Sequence, residues 1–225
     1  MINETNESNS SNLTSDINQN NIAIKKKTEV VNTQWGSPLL DALWRSPDLN
    51  HQLTTGNRAT GSFQNVPVTD AAAIAQQIAR AKEFKLDLYF APAEYKTPDN
   101  RKASNAAGAS CTFMDVDVGE DKAESGKGYA SIEEAKQALP EFCMKASLPS
   151  PNFVVCSGSG LHVYWVLTDF IEREQWQATA RQLKALTKAH GFLADDSRTA
   201  DIASVLRVPG TMNYKTNPPK EVVLL

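Results

Sequence analysis

Two aspartates, Asp115 and Asp117, stand one residue apart in the apolar run CTFMDVDV. Side chains on a strand repeat with period two, so both carboxylates point to one face, about 7 Å apart along the backbone. Like charges so placed repel, and an ionised carboxylate is costly to remove from water without a partner. A divalent cation that prefers hard oxygen ligands, Mg²⁺ or Mn²⁺, would relieve the repulsion and use both groups. An isolated pair also reads as strand-end carboxylates facing solvent; the apolar neighbours, Phe113 among them, argue for a site only partly open to water. Downstream, CSGSGLHVYW carries His162 at a strand start behind Gly158 and Gly160. Such glycines let a backbone approach a ligand and expose amide N–H groups to anions, although the same SGSG is equally a tight hairpin turn. A third cluster, DDSRTADIASVLRVPGTMNYK, adds Asp195, Asp196 and Asp201 together with Arg207 and Lys215, cations suited to phosphate oxygens. Asp195 and Asp196 read as capping or loop residues; Asp201, ahead of Ile202 and Ala203, is the better third ligand.

The chain that must position these groups has 225 residues, 41% of them hydrophobic, enough for one large domain or two small packed lobes. Its three cysteines and three histidines are scattered without CxxC spacing, which excludes a zinc ribbon or finger. Reduced thiols in a cytoplasmic setting are the default. No apolar stretch has the length to cross a bilayer and the N-terminus lacks a secretory core, so no membrane partner is expected. A net charge of −3 argues against a domain that grips nucleic acid by bulk electrostatics, while leaving room for a local basic groove beside an acidic site.

Residues 1–32, rich in Asn, Ser and Thr and ending near the triplet Lys25, Lys26 and Lys27, read as a disordered arm. Residues 33–225 read as an α+β domain in two parts. The first, 33–105, is an α/β unit: a helix begun at Pro38, a helix capped by Thr69 or Asp70 with Ile74, Ile78 and Ala81 or Ala79 on one stripe, and the strand LDLYFAPA. The second, 106–225, starts with the strand ASCTFMDVDV, with Cys111 and Phe113 on the face of the two aspartates and Thr112, Met114, Val116 and Val118 on the other. A loop with Gly119, Gly126 and Gly128 leads to a helix capped at Ser131, with Glu134 in the capping-box position. NFVVCS and LHVYWVL predict a hairpin, followed by the helix EREQWQATARQLKALTKAHG, stopped at Gly191. The remainder reads as irregular chain and a final strand, an ending that suggests part of a longer polypeptide. Strand, helix, hairpin and helix in this order resemble a ferredoxin-like or RNA-recognition-type sheet.

FMDVDV, SGSGLHVYW and DIASVLRVPGTMNYK, in this order over about residues 85–215, resemble the three motifs of the archaeo-eukaryotic primase superfamily in its phage and plasmid primase-polymerase form. The resemblance implies a catalytic core over 33–225 that performs template-directed nucleotidyl transfer on single-stranded DNA with two Mg²⁺ or Mn²⁺ ions. Asp115 and Asp117 match the paired metal ligands of the first motif and Asp201 the carboxylate of the third. His162 matches the histidine that contacts the phosphates of the incoming nucleoside triphosphate. Gly160 stands where relatives often carry a small hydroxyl residue, with Ser159 and Ser157 beside it as nucleotide-binding candidates. Arg207, Asn213 and Lys215 match the stretch after the third motif. The zinc-binding element of some relatives is absent from this sequence, and a helicase, fused or separate, is a further expected partner. For the template, EYKTPDNRKASN offers Tyr95, Arg101 and Lys102, and equally reads as a plain polar loop. Two other classes would use similar residues: a metal-dependent nuclease or phosphoesterase, and a non-catalytic replication initiator that binds DNA.

Overall fold

The computed structural model describes residues 34–225; the arm expected over 1–32 and its lysine triplet lie outside the described residues. Helix α1 (Pro38–Leu43) starts at the expected Ser-Pro, where the missing proline N–H costs no helical bond. Its three leucines are buried, and Trp35 and Trp44 meet edge to face, ring centroids 5.3 Å apart. Strands β1 (His51–Gly56) and β2 (Phe63–Val68) then form a hairpin in a stretch that sequence patterning leaves unassigned. The reason is chemical: the inner strand buries His51, Gln52, Thr54 and Thr55, polar side chains that carry no apolar alternation. His51 meets buried Glu94 at 2.9 Å, and Gln52 donates to the carbonyls of Pro98 and Asn100, so these buried donors find partners inside the protein.

Helix α2 (Ala71–Glu83) is capped by Asp70, whose carboxylate accepts from the Ala73 N–H at 2.8 Å, which decides between the two candidate caps. Strands β3 (Asp87–Phe90), β4 (Glu94–Tyr95) and β5 (Ala106–Asp117) follow. The glycine-bearing loop contains a short helix, α3 (Glu120–Glu124), before α4 (Ile132–Lys145). Ser131 accepts from the Glu134 N–H as expected, while the Glu134 carboxylate reaches back to the Ala130 N–H. Strands β6 (Phe153–Cys156) and β7 (Gly160–Glu172) form the expected hairpin, and α5 (Arg173–Ala189) ends at Gly191, whose φ is +65°. A single-turn helix, α6 (Asp196–Thr199), precedes four two-residue strands: β8 (Leu206–Arg207), β9 (Met212–Asn213), β10 (Lys220–Glu221) and β11 (Val223–Leu224).

Two antiparallel sheets organise the domain, in the orders β2-β1-β3-β8 and β11-β6-β7-β5-β4, with β9 and β10 as a separate pair. The alternation along β5 holds: Cys111 and Phe113 join a core with α1 and β3, whereas Met114 and Val116 join a second core with Leu139 and Phe142 of α4 and Leu183 and Leu186 of α5. A clean division at residue 105 is not what the sheets do. β4 lies before that point yet pairs with β5, and β8 lies far after it yet pairs with β3. Two-residue strands carry no periodic signal of their own, so tertiary contacts choose their partners. Among the described residues no helix is long and apolar enough to cross a membrane.

The central pairing, β5 with β7, is close-packed at Gly160, where an added Cβ would lie 2.1 Å from the Val116 carbonyl oxygen. Backbone cannot yield as a flexible side chain would. Gly160→Ala is therefore expected to lower stability by about 3 kcal/mol or more, read as a fall in the urea midpoint; an unchanged midpoint would contradict the close approach.

Candidate active site

In the β5–β7 register Asp115 lies opposite His162 and Asp117 opposite Gly160. The two aspartates and His162 line an open cleft of about 650 Å³, whose other wall is built by Tyr89 and Arg207 of the four-stranded sheet. Sheet alternation brings the carboxylates here: the face opposite theirs is filled by Met114 and Val116. His162 is 4% exposed, and burial, helped by Arg207, pushes its pKa down to about 3. The imidazole is therefore neutral at neutral pH. Its Nε2 stands 3.7 Å from Asp115 Oδ1, outside hydrogen-bonding distance, and its Nδ1 has no protein partner. The ring keeps hydrogen-bonding capacity for a ligand.

The Asp115 carboxyl is pushed up to about 7, first by burial and then by the charges of Asp117 and Asp195, with Arg198 and Lys215 opposing. One edge of it still reaches solvent, since the side chain is 24% exposed. Asp117 is held by the Lys122 ammonium at 2.7 Å. Two crowded carboxylates that lack enough positive charge suit a hard divalent cation with oxygen ligands. Asp201 lines the same cleft, but its Oδ1 accepts from the Ala203 N–H at 2.9 Å, closing its own loop. Among the described residues no three His, Cys, Asp or Glu side chains form a ready ligand set. Asp195 and Asp196 behave as the sequence suggests: Asp195 caps α6 through the Ser197 and Arg198 N–H groups, and Asp196 pairs with Lys188.

Ser157 and Ser159 line the cleft, whereas Gly160 is absorbed by the close contact with β5. Asn213 joins the serine turn to the third cluster. Its amide donates to the Ser157 carbonyl at 2.8 Å and to Ser159 Oγ at 3.3 Å, and its oxygen accepts from the Lys215 N–H. Arg207 is fixed by a carboxylate that sequence reasoning missed. Asp87, fully buried on β3, accepts from Arg207 Nη1 at 2.6 Å, from the Tyr214 N–H at 2.9 Å and from Arg58 Nε. An acidic residue opening the apolar strand DLYF was its only sequence signal.

Arg198 was missed as well, although it precedes Asp201 by three residues and faces the cleft. Together with Lys102 and Lys215 it forms no ion pair with a carboxylate among the described residues. The acidic chain thus does hold a local group of uncommitted cations. Of the three template candidates, Tyr95 is excluded, being fully buried on β4 beside β5, where no base can stack on it. Sequence composition marked it as an aromatic in a polar loop; pairing of β4 with β5 turned it inward. Arg101 and Lys102 line the cleft, Lys102 exposed and Arg101 bonded to the Ala203 carbonyl and to Asn65.

Two measurements test this geometry. The Asp115 carboxyl is raised to about 7 from an unfolded value of about 3.9. Its protonated form therefore supports the fold at low pH, and that support is lost as pH rises through 7. Without metal, Asp115→Asn should raise the urea midpoint at pH 8 and leave it unchanged near pH 4; equal midpoints at pH 8 would refute the crowding. Asp87→Ala leaves Arg207 buried without its counter-charge, and a loss of about 3–5 kcal/mol in denaturant unfolding is expected.

No family profile matches the chain. A protein described as a replication protein from Clostridium perfringens is 26% identical over 118 residues, which make up 52% of this chain and 27% of that protein. The chain spans about a quarter of the length of this curated relative, as the 27% coverage states. Among solved structures, the AEP domain of the cyanophage S-2L primase-polymerase superposes with a TM-score of 0.59 at 15% identity, covering 83% of this chain and 85% of that one. The primase RepB' superposes with a TM-score of 0.54 at 19% identity, covering 83% and 53%. The chain therefore shares its fold with the AEP domain of the cyanophage primase-polymerase and with primase RepB'.

Proposed function

We propose that this domain is a DNA primase-polymerase: it joins nucleotides on a single-stranded DNA template as part of a replication protein. The observation that carries the reading is the composition of one cleft. A carboxylate pair, a neutral histidine and the uncommitted cations Arg198 and Lys215 face a common space, in a fold shared with primase domains. Asp115 and Asp117 would hold the divalent cation, with Asp201 as the third carboxylate facing the same cleft, enough donors for the two ions that such reactions employ. The bound metal would supply positive charge where charge develops on the transferring phosphate, and would acidify the attacking 3'-hydroxyl.

The protein's own groups do the rest. Lys215 and Arg198 attract the triphosphate, and the neutral imidazole of His162 donates or accepts a hydrogen bond without adding charge. Ser157 and Ser159 offer hydroxyls on a turn that Asn213 holds against the third cluster. Arg207 presents its remaining N–H groups from an orientation that Asp87 dictates. Ribonucleotides and deoxynucleotides are both admitted by this inventory, and a helicase domain or a separate helicase protein is the proposed partner.

The test is primer synthesis from labelled nucleotides on a single-stranded template with Mg²⁺ or Mn²⁺. The double variant Asp115→Ala, Asp117→Ala should lose at least about a hundredfold in rate while remaining cooperatively folded. Equal product from parent and variant would end the proposal. Shortening of the DNA with no nucleotide present would point instead to phosphodiester hydrolysis.

A further inference from the structure

Phe63 is an exposed aromatic without an evident structural need for exposure. It lies on the edge strand β2, 54% exposed as a residue, and it lines the cleft on the wall away from the carboxylates. Its neighbours on β2, Gln64 and Asn65, are polar and exposed, so the ring is not the rim of an apolar core. Across the sheet its centroid stands 5.6 Å from that of Tyr89, at 51°. Gly56 opposes Phe63 in the hairpin register, and a Cβ there would come within 3.3 Å of the Phe63 ring and 3.5 Å of Tyr89. The absence of a side chain at Gly56 lets the two rings lean together over the sheet.

Tyr89 is already occupied: the Arg207 guanidinium lies 4.8 Å from its ring centre, and its hydroxyl takes a bond from Arg58. Phe63 is left with an open face. The cations of the cleft also divide. Arg198 and Lys215 act on Asp115, whereas Arg101 is bonded to Asn65, two residues along β2 from Phe63, with exposed Lys102 next to it. An open aromatic face beside cations that track a backbone is the arrangement that binds single strands, because every base has a π-face and every linkage a phosphate.

We propose that Phe63, braced by Tyr89, is the stacking platform for a base of the single-stranded template, with Lys102 and Arg101 following the adjoining phosphates. The assignment rests on reading the cleft as a nucleotidyl-transfer site, and it takes the place left empty by buried Tyr95. The incoming nucleotide belongs with Arg198 and Lys215, on the carboxylate side.

The experiment measures binding of the full chain, without metal or nucleotide, to a fluorescently labelled oligothymidylate and to an abasic strand of equal length. The parent should prefer the strand with bases. Phe63→Ala should weaken oligothymidylate binding about tenfold and leave the abasic strand unaffected, and Phe63→Trp should restore the preference. Lys102→Ala should weaken both strands and flatten the salt dependence. Unchanged oligothymidylate affinity in Phe63→Ala would overturn the proposal, as would an equal loss on both strands, which marks a structural role for the ring. Because no catalysis is read, the platform and the chemistry fail separately: stacking can hold in a chain that makes no primers, and primers can form on a chain in which Phe63 is indifferent.

Discussion

The register between β5 and β7 is the constraint on which the rest of the site depends. Pairing Asp115 with His162 sets the metal-type carboxylates beside the imidazole, and a slip of one residue would drive both aspartates into the core of Met114, Val116 and Leu183. Two features hold the register. One face of the pair fills the core while the other opens at the aspartates into the cleft, so each residue has one allowed side. At each end a glycine admits a partner backbone: Gly160 against Val116, and Gly108 against Ile171, where an added Cβ would lie 2.0 Å from the carbonyl oxygen. Trp176 adds a lock from α5, donating its indole N–H to the Cys111 carbonyl at 2.8 Å.

The second sheet contributes orientation and not carboxylate chemistry. Asp87 is a buried carboxylate surrounded by three donors from three parts of the chain, which offset its removal from water. Its benefit to the cleft is the fixed direction of Arg207, whose charge adds to burial in keeping His162 neutral. Polar groups that serve the site are costly to the fold: an imidazole nitrogen with no partner and a carboxyl raised by burial and by its neighbours both favour unfolding over a satisfied core. Such costs concentrate where ligands are bound.

This arrangement reconciles an acidic chain with a nucleic-acid reading. Most of the basic side chains elsewhere are solvated or paired, so the overall charge of −3 says little about the cleft. What matters to an approaching phosphate is that Lys102, Arg198 and Lys215 carry no ion pair among the described residues, while the carboxylates opposite are partly protonated or held by Lys122.

The residues of the site on long elements were legible from the linear order alone. Alternation along β5 assigned the aspartates to one face, cap chemistry started α2 and α4, and Gly191 ended α5, because these signals are local and repeat with the backbone's own period. The three motifs likewise lie within contiguous segments. What only the tertiary structure decided were the partnerships: that Asp87 meets Arg207 across 120 positions, that β8 joins the first sheet and β4 the second, that Tyr95 is buried while Phe63 is not, and that Asp201 bonds its own loop. Each depends on which surfaces meet once two cores close. A two-residue strand or a lone acid carries no period by which that meeting could be read in advance.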